Sequence, residues 1–163
     1  MLSHHALDRL RPRPGTRRRP RRSGRQCRGH LHGDGGLLVT IPPYAELLGL
    51  SLEPGDPAPT LVMPFGPDVI GRPGFLHGGA IGGLLEMAAV AALKQALETE
   101  GGGRVKPINL TVDYMRGGRD KETRARGTVT RLGKRVANVD AIAWQDDPDR
   151  PIARAHLNYL IAR

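Results

Sequence analysis

Between His77 and Leu93 the chain reads HGGAIGGLLEMAAVAAL, and after the histidine one carboxylate, Glu86, interrupts fifteen glycine, alanine and larger apolar positions. From Ala80 onward this composition favours a helix, and polar residues return at Lys94, Gln95 and Glu98. The triplet Gly101, Gly102 and Gly103 then stops it, so the pattern predicts one helix from about Gly79 to Thr99. A helix that is apolar on nearly all sides is buried on nearly all sides. The apolar run itself falls short of the roughly 18 to 20 residues that a membrane span needs.

Beyond the helix, period-two alternation governs most of the chain. In PINLTVDYM, Ile108, Leu110, Val112 and Tyr114 alternate with Asn109, Thr111 and Asp113. In TRARGTVTRL, Ala125, Gly127 and Val129 oppose Arg124, Arg126, Thr128 and Thr130. A third strand, RVANVDAIAW, runs to Trp144, and a fourth sets Ala155, Leu157, Tyr159 and Ile161 against Arg154, His156 and Asn158. Ahead of the helix, PPYAELLGL (42–50) predicts a short helix opened by proline and closed near Gly49. APTLVMPF (58–65) predicts a strand at an edge, and GPDVIGRPGFLHGG a loop. Consecutive strands with short turns make an antiparallel sheet, and the long helix is available to cover one face.

Charge divides the chain in two. Of 25 basic and 16 acidic side chains, ten arginines and two acids lie in residues 1–35, leaving 15 against 14 in residues 36–163. The first segment, rich in Arg, Pro and Gly, cannot bury enough apolar surface to order itself, so a disordered basic tail is expected there, inert or a start-site artefact. The folded domain is expected over 36–163. No apolar stretch follows the basic residues, so no signal peptide is expected. The one cysteine, Cys27, suits a reducing compartment and a cytoplasmic location. His4, His5, His30 and His32 lack acid or thiol companions, and His77 and His156 stand far apart, so no metal site is expected.

An unpaired carboxylate in an apolar helix is costly to bury, which makes Glu86 a candidate functional acid in a cleft. The residues around it carry a resemblance. GRPGFLHGGAIGGLLEMAA, from Gly71 to Ala89, resembles the signature of acyl-CoA thioesterases of the phenylacetyl-CoA thioesterase type. There a His-Gly-Gly opens the helix and an acid follows nine residues after the histidine, here His77, Gly78, Gly79 and Glu86. The element order is similar to the α+β hotdog fold, one long helix wrapped by a curved antiparallel sheet, and the likeness covers residues 41–162. The chain departs at two places: Gly71 stands where many members have asparagine, and Pro107 where many have a serine or threonine touching the acid. Asn109 and Thr111 are the nearest polar substitutes for the second.

The resemblance implies hydrolysis of an acyl-CoA without a cofactor. A helix start offers unpaired N–H groups and partial positive charge, so Gly78 or Gly79 is the expected oxyanion donor. Glu86 is the expected general base or nucleophile, and His77 more a cap than a base. Seven residues separate Gly79 from Glu86, about 10 Å along a helix, too far for both to meet one carbonyl. A homodimer or dimer of dimers that brings Gly78 and Gly79 of one chain to Glu86 of another resolves this. Lys134 and Arg135, at a hairpin turn, are candidate contacts for CoA phosphates, against the simpler reading of a solvated turn. Acyl-CoA and a second copy are thus the expected partners; neither a membrane nor nucleic acid is. Two alternatives remain at this point: an acyl-CoA-sensing module without catalysis, and a hydroxyacyl-thioester dehydratase of the same fold.

Overall fold

The computed structural model describes residues 42–162; the basic segment 1–35 lies outside the described residues. Helix α1 (Pro43–Leu47) starts on a proline, and Gly49, at φ +64°, turns the chain into β1 (Ser51–Glu53). Strand β2 (Thr60–Met63) is shorter than the alternation suggests because Pro59 and Pro64, which lack the N–H a ladder needs, bracket it. The stretch expected as loop carries a 3₁₀ turn (Pro67–Val69) and a small hairpin of β3 (Ile70–Arg72) and β4 (Phe75–Leu76), bent at Gly74.

Helix α2 (Gly78–Glu98) comes next, and the glycine triplet ends it, Gly101 and Gly102 adopting positive φ. At 21 residues it is long and apolar enough to cross a membrane by length and composition, beyond what the apolar run alone suggests. Its most apolar stretch is nevertheless 67% buried within the fold. Four long strands complete the chain: β5 (Arg104–Tyr114), β6 (Thr123–Leu132), β7 (Val136–Trp144) and β8 (Ala153–Ala162). The main sheet is antiparallel with the order β1-β2-β6-β7-β8-β5.

Small side chains let the helix lie close to the sheet. The inward positions of β7 and β8 are Ala137, Val139, Ala141, Ala143, Ala153, Ala155, Leu157, Tyr159 and Ile161, all buried. The two come close at Gly127 on β6, where a Cβ would stand 2.6 Å from the Ala88 carbonyl oxygen and 2.9 Å from the Ala89 Cα. Backbone atoms cannot rotate aside, so the helix would have to lift. Gly127→Val is expected to cost about 1–3 kcal/mol and lower Tm by about 3–10 °C, measured by thermal denaturation.

Strand β5 behaves differently from its neighbours. Its apolar residues Leu110, Val112 and Tyr114 pair with Leu157, Ala155 and Ala153 and so share the helix-facing side of the sheet, as the alternation predicts. Yet Leu110 is 40% exposed and Tyr114 54%, because α2 packs chiefly on β6 and β7 and leaves the β5 edge uncovered. A bulge between Pro107 and Asn109 puts Ile108 outside the pairing, 58% exposed. The other side of β5 has no strand against it among the described residues.

Candidate active site

The hairpin β3–β4 delivers the chain to the start of α2 under firm control. The Leu76 N–H donates to the Gly118 carbonyl at 3.0 Å, and the His77 N–H to the Val69 carbonyl at 2.8 Å. His77 is the N-cap: its Nδ1 accepts the Gly79 N–H at 2.9 Å, which puts the ring proton on Nε2. Its carbonyl takes the Ala80 and Ile81 N–H groups at 3.0 and 3.2 Å. A helix start thus capped leaves few free donors. The Gly79 N–H is committed to the imidazole, whereas the Gly78 N–H finds no acceptor among the described residues.

Glycine at 79 is required by this cap, because a Cβ would meet His77 Nδ1 at 2.9 Å. The neighbouring glycines receive tyrosines. Tyr114 donates its hydroxyl to the Gly78 carbonyl at 2.7 Å and lies over Gly82, where a Cβ would be 3.5 Å from its oxygen. Tyr44 lies over Gly83, and a Cβ there would fall 2.5 Å from its hydroxyl. Two open clefts flank the helix start. One, of about 530 Å³, is lined by residues that include Tyr44, Asp68, Ile70, His77 and Gly79. The other, of about 370 Å³, includes Leu76, Gly78, Ile81, Tyr114 and Met115.

Glu86 lines neither of these clefts. It is half-buried, eight residues beyond Gly78, and makes no hydrogen bond or ion pair among the described residues. One chain therefore carries an unengaged donor and an unengaged carboxylate about 12 Å apart along the helix.

The departures from the family pattern have structural counterparts. A Cβ at Gly71 would stand 2.8 Å from the His77 Cα, so the chain passes too close there for any side chain. Asn109 and Thr111 cannot substitute for the missing hydroxyl at Pro107. Asn109 accepts from Asn158 Nδ2 at 2.6 Å, and Thr111 pairs with His156; both belong to the face turned away from the helix. Lys134 and Arg135 do form the exposed turn between β6 and β7. The register Val136–Leu160–Lys106 puts that turn at the opposite end of the sheet from Gly78 in the same chain. Basic groups near the helix start come instead from residues that no sequence pattern singles out: Arg72 and Arg119 hold their guanidinium carbons 3.9 and 4.2 Å from the Phe75 ring centroid.

Known proteins share both the sequence around this helix and the fold that holds it. The family model described as "Thioesterase superfamily" matches residues 73–152, from just before the helix to the start of the last strand. A protein of known structure from Chromobacterium violaceum is 35% identical, with a TM-score of 0.59 over 74% of this chain and 84% of that one. The chain belongs to the thioesterase superfamily. Membership carries the general activity, hydrolysis of a thioester. A variant thioesterase from Pseudomonas aeruginosa is 25% identical, with a TM-score of 0.65 over 72% of this chain and 84% of that one. A Bacillus halodurans protein solved with CoA shares the fold at 22% identity and a TM-score of 0.62, over 73% of this chain and 78% of that one. No curated protein matches the chain.

Proposed function

We propose that this superfamily member hydrolyses an acyl-CoA thioester to the free acid and CoA, at a site shared between two copies. The observation that carries the reading is the pair of unengaged groups on one helix: the Gly78 N–H at its start and the Glu86 carboxylate beyond the second turn. Glu86 takes a proton from water as the water oxygen attacks the thioester carbonyl carbon, or attacks that carbon itself through an anhydride that water then opens. Charge developing on the carbonyl oxygen is met by the Gly78 N–H and the positive end of the helix. With Glu86 as base, the C–S bond breaks, the CoA sulfur leaves with the proton returned from the carboxyl group and the acid departs. In the anhydride route the sulfur leaves as thiolate, and water opening the anhydride releases the acid and restores the Glu86 carboxylate. His77 holds the helix start in shape through its bond to Gly79.

A second copy supplies the missing half. The open edge of β5 and its uncovered Leu110 and Tyr114 form a surface that a two-fold related β5 would pair with and a second helix would cover. Such pairing runs the strands antiparallel, so the Lys134–Arg135 turn of one chain comes to the same end of the joint sheet as Gly78 of the other. Those two residues, with Arg72 and Arg119, are the basic groups available to CoA phosphates. The reading of CoA as carrier is supported by the Bacillus halodurans relative solved with it. No cofactor enters the chemistry, and a cytoplasmic location fits the substrate.

A panel of acyl-CoA thioesters, followed with a thiol-reactive reporter, tests the assignment. At least one member is expected to release CoA with kcat/KM of about 10⁴ M⁻¹s⁻¹ or above. Tight binding without thiol release would identify a sensing module instead, and hydration of an enoyl thioester without release a dehydratase.

A further inference from the structure

Tyr159 is the one side chain among the described residues with a buried polar atom that lacks a hydrogen-bond partner. It is wholly buried on the inward face of β8, between Pro107 on β5 and Ala137 on β7, neither of which has a polar side chain to offer. A phenylalanine would fill the same space without leaving a hydroxyl dry, so the oxygen calls for a partner. Burial, and after it the Glu86 charge, raise the energy of the tyrosinate, so the phenol stays a donor and Glu86 is near enough to feel it. Glu86 for its part has a flexible side chain and no donor among the described residues.

Each group is what the other lacks. We propose that Tyr159 is a positioning residue, whose hydroxyl donates to the Glu86 carboxylate and fixes which oxygen faces the reacting water. This rests on the reading of Glu86 as the reactive carboxylate. The position opposite Pro107 gives it further weight, because the tyrosine enters from the adjoining strand at a level where β5 offers only a proline, the Tyr114 hydroxyl further along β5 being bonded to the Gly78 carbonyl. One carboxylate oxygen held by a phenol leaves the other free, with its orientation set by a ring locked in the core.

Tyr159→Phe removes one oxygen and nothing else, and its effect is read in two backgrounds, the native chain and Glu86→Met, which keeps the length of the side chain but removes the acceptor. In the native background the Phe variant is expected to melt about 3–6 °C lower, the loss of a hydrogen bond to a charged group. In the Met background it is expected to melt unchanged or higher, since a dry hydroxyl is removed. Stability unchanged or raised in both backgrounds overturns the proposal, as does an equal fall in both, which would mean a different partner. Kinetically, kcat is expected to fall about tenfold with KM within about twofold, because orientation of the base matters to the chemical step. An unchanged kcat overturns the positioning role. Should no acyl-CoA be hydrolysed by the native protein, the proposed function fails on its own assay, and the melting comparison still decides whether Tyr159 holds Glu86.

Discussion

Glu86→Gln is expected to lower turnover by about 100-fold or more while leaving the fold intact. Glutamine has the volume of glutamate and keeps one acceptor oxygen, so packing of this half-buried position among Leu85, Ala89 and Val90 changes little. What it loses is the charge and the ability to take a proton. No other carboxylate is contributed by α2 before Glu98, three turns further on, so no neighbour on the helix stands in for it. Melting temperature and oligomeric state, measured beside kcat, separate a chemical effect from a structural one. A Gln variant with native turnover would reduce Glu86 to a polar residue on a partly exposed stripe. The same outcome would remove the main residue-level support for hydrolysis at this helix.

Legibility in the sequence depends on how local each signal is. The eighth strand is fully readable, because Ala153, Ala155, Leu157, Tyr159 and Ile161 are buried and the residues between them are not, and period two reports that directly. The hairpin of β3 and β4 is not readable, since strands of three and two residues carry no period. The His77 cap is readable from the residue type and its place before glycine. The commitment of the Gly79 N–H to it, which singles out Gly78, emerges only in the folded chain. Gly82 and Gly83 admit two readings in the sequence, an approach by a second backbone or by substrate, or simple packing against the sheet. Each instead receives a tyrosine hydroxyl region, from residues more than 30 positions away in the chain, a contact no local pattern encodes. Tyr159 is a like case: alternation marks it as core, and only its surroundings show a hydroxyl without a partner.

Strand β5 shows how a correct reading can still be incomplete, and it leads to the second large effect. Its alternation is right about the face, but the helix that should cover that face lies over β6 and β7. Leu110→Lys is therefore expected to be well tolerated by the single chain and to abolish the proposed β5-to-β5 dimer, moving the protein to monomer mass in solution scattering or sedimentation. Hydrolysis is expected to vanish with the dimer, because neither chain alone brings Gly78 to Glu86. Loss of activity on dissociation would also result from mere destabilisation, so mixing is the sharper measurement. One chain carries Glu86→Ala; the other carries Gly78→Val and Gly79→Val, which crowd Tyr114 and break the His77 cap. Each homodimer has two defective sites. After subunit exchange, a heterodimer has one site that joins an intact Glu86 to an intact helix start, and one with both defects. An equal mixture at random exchange makes half its dimers mixed, so activity is expected to return to about a quarter of the native value per chain. If the donor and the carboxylate acted within one chain, every site in every dimer would carry one defect, and no exchange would restore turnover.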